Sequence, residues 1–221
     1  MSRRPAIKSA RKPPQQSRSK VTVSTILDAT VRVLDQEGAE AATTTRIAEV
    51  AGVSVGTLYQ YFGNRDAILE ALQTREFERA TQMMQRVLSN PDHASDRNVA
   101  RSVIEELLRM YRAAPALHRI LALEGMRVTP TERVLAFDIQ IVNAIKAFLQ
   151  LAGSRIRRKH VDGAAFVVYQ SVRASMLAYL LENPSGVDDA ALVEELTDLI
   201  VIYLTGAEET KPARPRREAR A

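Results

Sequence analysis

Between Val53 and Phe62 the chain reads VSVGTLYQYF. Thr57, Tyr59 and Tyr61 bring hydroxyls, Gln60 brings an amide, and Lys and Arg are absent. A core helix would not set Tyr59, Gln60 and Tyr61 in a row, and a helix driven by charge alone would be basic. Leu58 and Phe62 fall one turn apart and must point inward. The rest is hydrogen-bonding chemistry offered to an outside partner. Tyr59 and Tyr61 can donate to phosphate oxygens without adding charge. Thr57 and Gln60 can reach base edges, and a Gln amide suits adenine. Gly56 has no Cβ, so its backbone can come close to a ligand. Ser54 is placed to cap the helix, and the first peptide N–H groups, from Val55 onward, can meet a phosphate.

Other chemistry is thin. The chain has no cysteine, which removes disulfides, Cys-ligated zinc and Cys nucleophiles. His93, His118 and His160 show no metal spacing and pair with no recognisable Ser nucleophile. "ALHRILALE" is not a zincin sequence. No catalytic constellation stands out, so no enzyme, metal or cofactor is expected, and an all-helical hydrolase or transferase is the rival class.

The groups of Val53–Phe62 need a scaffold, and the preceding residues supply one. "VTVSTILDATVRVLDQEG" carries apolar residues at helical spacing and Gly38 as a left-handed stop. "TTTRIAEVAG" follows, with Thr43 or Thr44 as N-cap, Ile47, Ala48 and Ala51 inward, and Gly52 as stop. "AGVS" then turns tightly into the Tyr-bearing helix. Two short helices across a glycine turn make a helix-turn-helix, whose second helix enters the DNA major groove. Arg46 and Arg65 can supply positive charge beside it.

Composition bounds the rest. The 221 residues are 46% hydrophobic and rich in helix formers, which predicts an all-α protein. The net charge of +5 is uneven. Residues 1–20 hold Arg3, Arg4, Lys8, Arg11, Lys12, Arg18 and Lys20 without an acid. Residues 207–221 hold five basic and three acidic residues, so the tails sum to +9 and the body is −4. The basic arm is open to three readings: a solubilising tail, a transit peptide or a segment following a phosphate backbone. "RKPPQQ" is expected to interrupt any amphipathic helix there. No apolar run reaches the roughly 20 residues of a membrane span, so no membrane partner is expected.

The segment "TTTRIAEVAGVSVGTLYQYFGNRDAILEAL" closely resembles the helix-turn-helix signature of the TetR family of transcriptional regulators. The matching residues are Thr43, Ile47, Ala48, Ala51, Gly52, Val53, Ser54, Gly56, Leu58, Tyr59, Tyr61 and Phe62. The family usually has Lys a few residues after the Phe as a phosphate contact, and Arg65 holds that place here. The resemblance covers residues 21–72; beyond them only the helical layout matches. It implies a cytoplasmic bacterial regulator, usually a homodimeric repressor released from its DNA operator by a small molecule. An architectural DNA-coating protein is the alternative.

The expected organisation is a basic arm over 1–20, a three-helix DNA-binding domain over 21–66, a helical effector and dimerisation domain over 67–205, and a basic tail over 206–221. "TPTE" at 129–132 is expected as a capping box opening a helix through Leu151. On a helix over 161–182, Ser171, Ala174, Ser175 and Ala178 form a small-residue face suited to a dimer contact. A neighbouring stripe reads Phe166, Gln170, Arg173 and Leu177, with two polar groups costly to bury unpaired. It is a candidate wall for an effector pocket, with Arg173 its specificity group and Glu124 a possible counter-ion. Met110, Tyr111, His118, Met126 and Phe137 are the other candidate lining residues.

Overall fold

A computed structural model describes residues 14–90 and 95–206. Among the described residues nine α-helices follow one another: α1 Pro14–Glu37, α2 Thr44–Ala51, α3 Val55–Tyr61, α4 Arg65–Leu88, α5 Asp96–Ala113, α6 Pro115–Val128, α7 Thr131–Ala152, α8 Val161–Glu182 and α9 Asp189–Thr205. The described residues contain no strand, as the composition predicts.

The helix ends follow from local chemistry. Thr43 caps α2 by accepting the Arg46 amide at 3.2 Å, and Ser54 caps α3 by accepting the Thr57 amide at 3.0 Å. Gly52 takes φ +67° and ends α2 where a side chain would be strained. Asn64 and Ser95 accept the Ala67 and Asn98 amides at 2.8 and 3.2 Å at the starts of α4 and α5.

Two expectations fail locally. The arm expected through residue 20 is helical from Pro14, because proline is tolerated in a first helical turn, whose amide needs no partner. Arg18 and Lys20 therefore ride exposed on α1. Residues 1–13 and 207–221 lie outside the described residues, with most of the two basic tails. The capping box also fails. Thr129 is buried as the C-cap of α6, its hydroxyl makes no hydrogen bond, and α7 starts at Thr131.

The chain divides into two compact units. The first comprises the chain through Phe77 together with Ala113–Thr131, and the second comprises Glu78–Arg112 and the chain from Glu132. This division falls between Phe77 and Glu78, inside α4, and groups α6 with the helix-turn-helix. The core of the first unit is built from Ile26, Val33, Leu34, Ile47, Leu58, Phe62, Ile68, Leu72 and Leu117. The second unit packs Ile104, Leu108, Leu149, Ala165, Met176, Leu196 and Ile200. Arg97 and Arg101 of α5 pair with Glu194 of α9, and Arg97 also reaches Asp198.

Residues Thr131–Arg155, and α8, are each long and apolar enough to cross a membrane by length and composition. The expectation from uninterrupted runs missed this, because Asp138 and Lys146, and then Asp162 and Arg173, break the runs without lowering the average enough.

Candidate nucleic-acid interface

The helix-turn-helix turns the candidate reading groups outward by burying what lies behind them. Leu58 is 0% exposed and Phe62 7%, while Tyr59 is 50% and Tyr61 37% exposed. Gln60 is exposed as well, and Thr57 is half-buried. The Thr57 hydroxyl lies 2.8 Å from Ser54 Oγ, so part of its capacity is used locally. The Tyr59 hydroxyl lies 3.2 Å from Thr44 Oγ1, which links the outer side of α3 to the first turn of α2. Val55 is 38% exposed beside Gly56. Nothing inside the protein demands a glycine at 56. A Cβ there would meet only Ser54 Oγ, at 3.8 Å, and φ is not left-handed.

Both cations assigned to this face are already engaged. Arg46 binds Glu37 through three hydrogen bonds of 2.9–3.1 Å and pairs with Glu49 at 2.8 Å. Hydrogen bonds to these two carboxylates raise the pKa of Arg46, and the bond to Arg46 holds Glu37 below the usual carboxylate range. Arg65 donates to Glu124 at 3.2 Å. The sequence points to these arginines but not to Glu37 and Glu124, which lie 9 and 59 positions away along the chain. Such pairings are set by tertiary packing and leave no local signal.

The candidate effector residues divide between the units. His118, Glu124 and Met126 belong to the first. His118 is buried with its Nε2 3.6 Å from Glu76 and its Nδ1 2.9 Å from the Ala114 carbonyl oxygen. Met126 is 61% exposed. Glu124 is held by Arg65 and Arg127, so it is not reserved as the counter-ion of Arg173.

In the second unit the acid opposite Arg173 is Asp138 of α7, at 4.0 Å. Asp138 also accepts the Tyr169 hydroxyl at 2.5 Å. Burial, then this hydrogen bond, pushes the Tyr169 phenol far up. Burial likewise raises Tyr111, and the nearby Arg173 charge pulls it partly back. Met84, Ile141 and Tyr169 form the adjoining apolar cluster, with Phe137 packed against it. Met110 and Gln170 are half-buried. Tyr169 and Asp138 were missed, although a lone acid in the apolar run "VLAFDIQIV" is a readable signal.

Phe166 and Leu177 lie apart from that cluster, at 54% and 38% exposure. Val167, Arg173 and Ala174 are exposed with them, while Ser171, Ser175 and Ala178 are half-buried. The two stripes read separately from the sequence therefore share one outward face of α8.

Comparison with known proteins decides the family. The pattern of bacterial regulatory proteins of the tetR family matches residues 26–72, and that of the tetracyclin repressor-like C-terminal domain matches residues 97–204. The chain belongs to the TetR family. It is a DNA-binding transcriptional regulator, and its family is one of regulators, not enzymes. It is 28% identical over 193 residues to the transcriptional repressor KstR of Mycolicibacterium smegmatis, covering 83% of this chain and 87% of that one. It is 28% identical over 166 residues to the nucleoid occlusion factor SlmA of Haemophilus influenzae, covering 72% and 71%. Its fold is that of FadR from Bacillus subtilis, solved in complex with stearoyl-CoA, with a TM-score of 0.64 at 20% identity, covering 82% of this chain and 98% of that one.

Proposed function

We propose that this TetR-family regulator is a homodimeric repressor that binds a palindromic operator and leaves it when a small molecule occupies its second unit. The observation that carries the DNA contact is the exposed, uncharged surface of α3 around Gly56. A glycine in a helix costs stability relative to alanine, and here the protein itself does not use the space left by the missing side chain. Gly56, Thr57, Tyr59, Gln60 and Tyr61 then face the groove. Arg18 and Lys20 on α1 add charge that the acidic body lacks, continuous with the basic residues of the arm.

Two further observations support the regulatory cycle. Phe166, Val167 and Leu177 on α8, and Leu199 and Ile202 on α9, are large apolar side chains facing water. Covering them with a second subunit around Ala174 gives a twofold pair of α3 helices, which suits a palindrome. This reading also accounts for the membrane-like composition of α8 without a bilayer, and it places the protein in the cytoplasm with the chromosome. Within the second unit, Arg173 and the Tyr111 and Tyr169 hydroxyls stand beside an apolar cluster. That combination suits a largely apolar effector with an acidic or strongly accepting head. The stearoyl-CoA bound by Bacillus subtilis FadR is a molecule of that kind.

The likeness to a nucleoid occlusion factor supports a second reading, an architectural DNA-binding protein without an effector. Selection of bound duplexes from a random pool separates the two. The repressor reading expects enrichment of inverted half-sites. Recovery of duplexes with no shared sequence would favour the architectural reading.

A further inference from the structure

Four charges of alternating sign join α4 to α6 within the first unit. Arg65 donates to Glu124 at 3.2 Å, and the same Glu124 oxygen accepts from Arg127 at 3.0 Å. Arg127 in turn grips Asp66 through two bonds of 2.8 and 3.0 Å. Beside them the Gln73 side chain of α4 lies against Gly125 of α6, where a Cβ would force it to move.

We propose that Glu124 competes with DNA for Arg65, holding its guanidinium in an ion pair that a DNA phosphate must displace. The inference rests on the DNA-binding role of the helix-turn-helix. Arg65 opens α4, three residues after the last buried anchor of the recognition helix, Phe62. A guanidinium binds carboxylate and phosphate with the same fork of donors, so one anion can replace the other. The pair is 30% and 31% exposed at its two side chains, and pairs in contact with water are weak enough to exchange.

The wiring makes that exchange inexpensive. When Arg65 leaves, Glu124 keeps Arg127, so no carboxylate is stranded. Asp66 keeps Arg127 as well, so its charge stays covered when phosphate approaches. Arg46 is the opposite case. Its release would strip Glu37 of three hydrogen bonds and Glu49 of its pair, so Arg46 serves as a brace between α1 and α2. Of the two assigned cations, Arg65 alone is wired to change partner, and α6 carries the group that competes for it.

The test uses the full chain and a short random-sequence duplex, so that phosphate binding is read without an operator. Affinity is measured against salt for the wild type, Glu124→Gln, Arg65→Gln and the double variant. Glu124→Gln is expected to bind roughly two- to fivefold tighter. Its plot of log K against log salt should steepen by about 0.9 for each additional phosphate neutralised. Arg65→Gln should bind more weakly, and in that background Glu124→Gln should change nothing. An equal increase in both backgrounds would reduce Glu124 to a general negative charge and overturn the proposal, as would no increase in either. A wild type without affinity for any duplex would instead remove the DNA-binding reading beneath it. If Glu124→Gln does not fold, Glu124→Asp keeps the charge and shortens the reach. It must then give a smaller increase in the same direction, and an unchanged affinity would overturn the proposal.

Discussion

Gly56 stands beside Ser54 with room to spare: a methyl on its Cα would sit 3.8 Å from Ser54 Oγ and meet nothing else within 4 Å. The helix therefore accepts alanine, but a DNA backbone pressed against Gly56 does not. Gly56→Ala should raise stability by about 0.4–1 kcal/mol, because the unfolded chain loses freedom. It should lower duplex affinity by roughly tenfold, about 1.4 kcal/mol. Thermal unfolding and DNA titration of one preparation give both signs. An alanine variant that binds as well as the parent would mean that DNA does not approach this backbone.

The Tyr59 hydroxyl, 3.2 Å from Thr44 Oγ1, and the Gln60 amide are assigned different contacts on DNA. Tyr59→Phe removes a phosphate donor and should weaken random duplex and selected operator by the same factor. Gln60→Ala should leave random-duplex binding alone and relax one base position by about 1–3 kcal/mol. Loss of base preference from Tyr59→Phe, with none from Gln60→Ala, would exchange the two roles.

How much of this was legible depended on range along the chain. Thr43, Ser54 and Gly52 act on neighbours a few positions away, so their caps and stops could be read directly. Leu58 and Phe62 were readable from one turn of helical spacing. The opening at Pro14 was misread because a proline that breaks a helix interior can equally begin one. Arg65 with Glu124, and Tyr169 with Asp138, join residues 59 and 31 positions apart. Only packing decides those partners, which is why Glu124 was given to Arg173 and Asp138 was passed over. The outward turn of Phe166 was hidden for a related reason: an apolar stripe looks the same whether it meets the core, a ligand or a second subunit.

Assembly can be tested at Ala174, which is exposed between Arg173 and the half-buried Ser175. Ala174→Arg changes no buried core position of the subunit. Sedimentation should show monomers, and operator affinity should fall steeply, because a single half-site holds weakly. A variant that remains dimeric at micromolar concentration would place the interface on another face.

Acid should loosen the second unit at Asp189. Hydrogen bonds from Arg112, then from Tyr179, hold its carboxyl below the ordinary carboxylate value. A depressed folded-state value stabilises the native state above the unfolded pKa of about 4, and that contribution is lost as pH falls through the folded value. Asp189→Asn should therefore melt below the wild type at neutral pH, with the gap closing as pH drops under about 4. Melting curves over that range check the sign, and a gap that holds constant into acid would show that the carboxylate charge contributes nothing.

Arg173 carries the effector assignment. Its guanidinium lies 4.0 Å from Asp138, whose other oxygen is held by Tyr169, so it retains donors for a ligand. Arg173→Met keeps the length and the helix but removes the charge. Folding and operator binding should persist, since a half-exposed pair at this distance adds little stability. Release by an acidic inducer should be lost, while a neutral inducer of similar shape should act as before. Tyr169→Phe provides the internal comparison: it frees an Asp138 oxygen to hold Arg173, and should weaken the response to the acidic inducer without abolishing it. If Arg173→Met fails to fold, the arginine is part of the subunit's structure. If it folds and responds normally, the effector's head group binds elsewhere, and Tyr111 and Gln170 become the next residues to change.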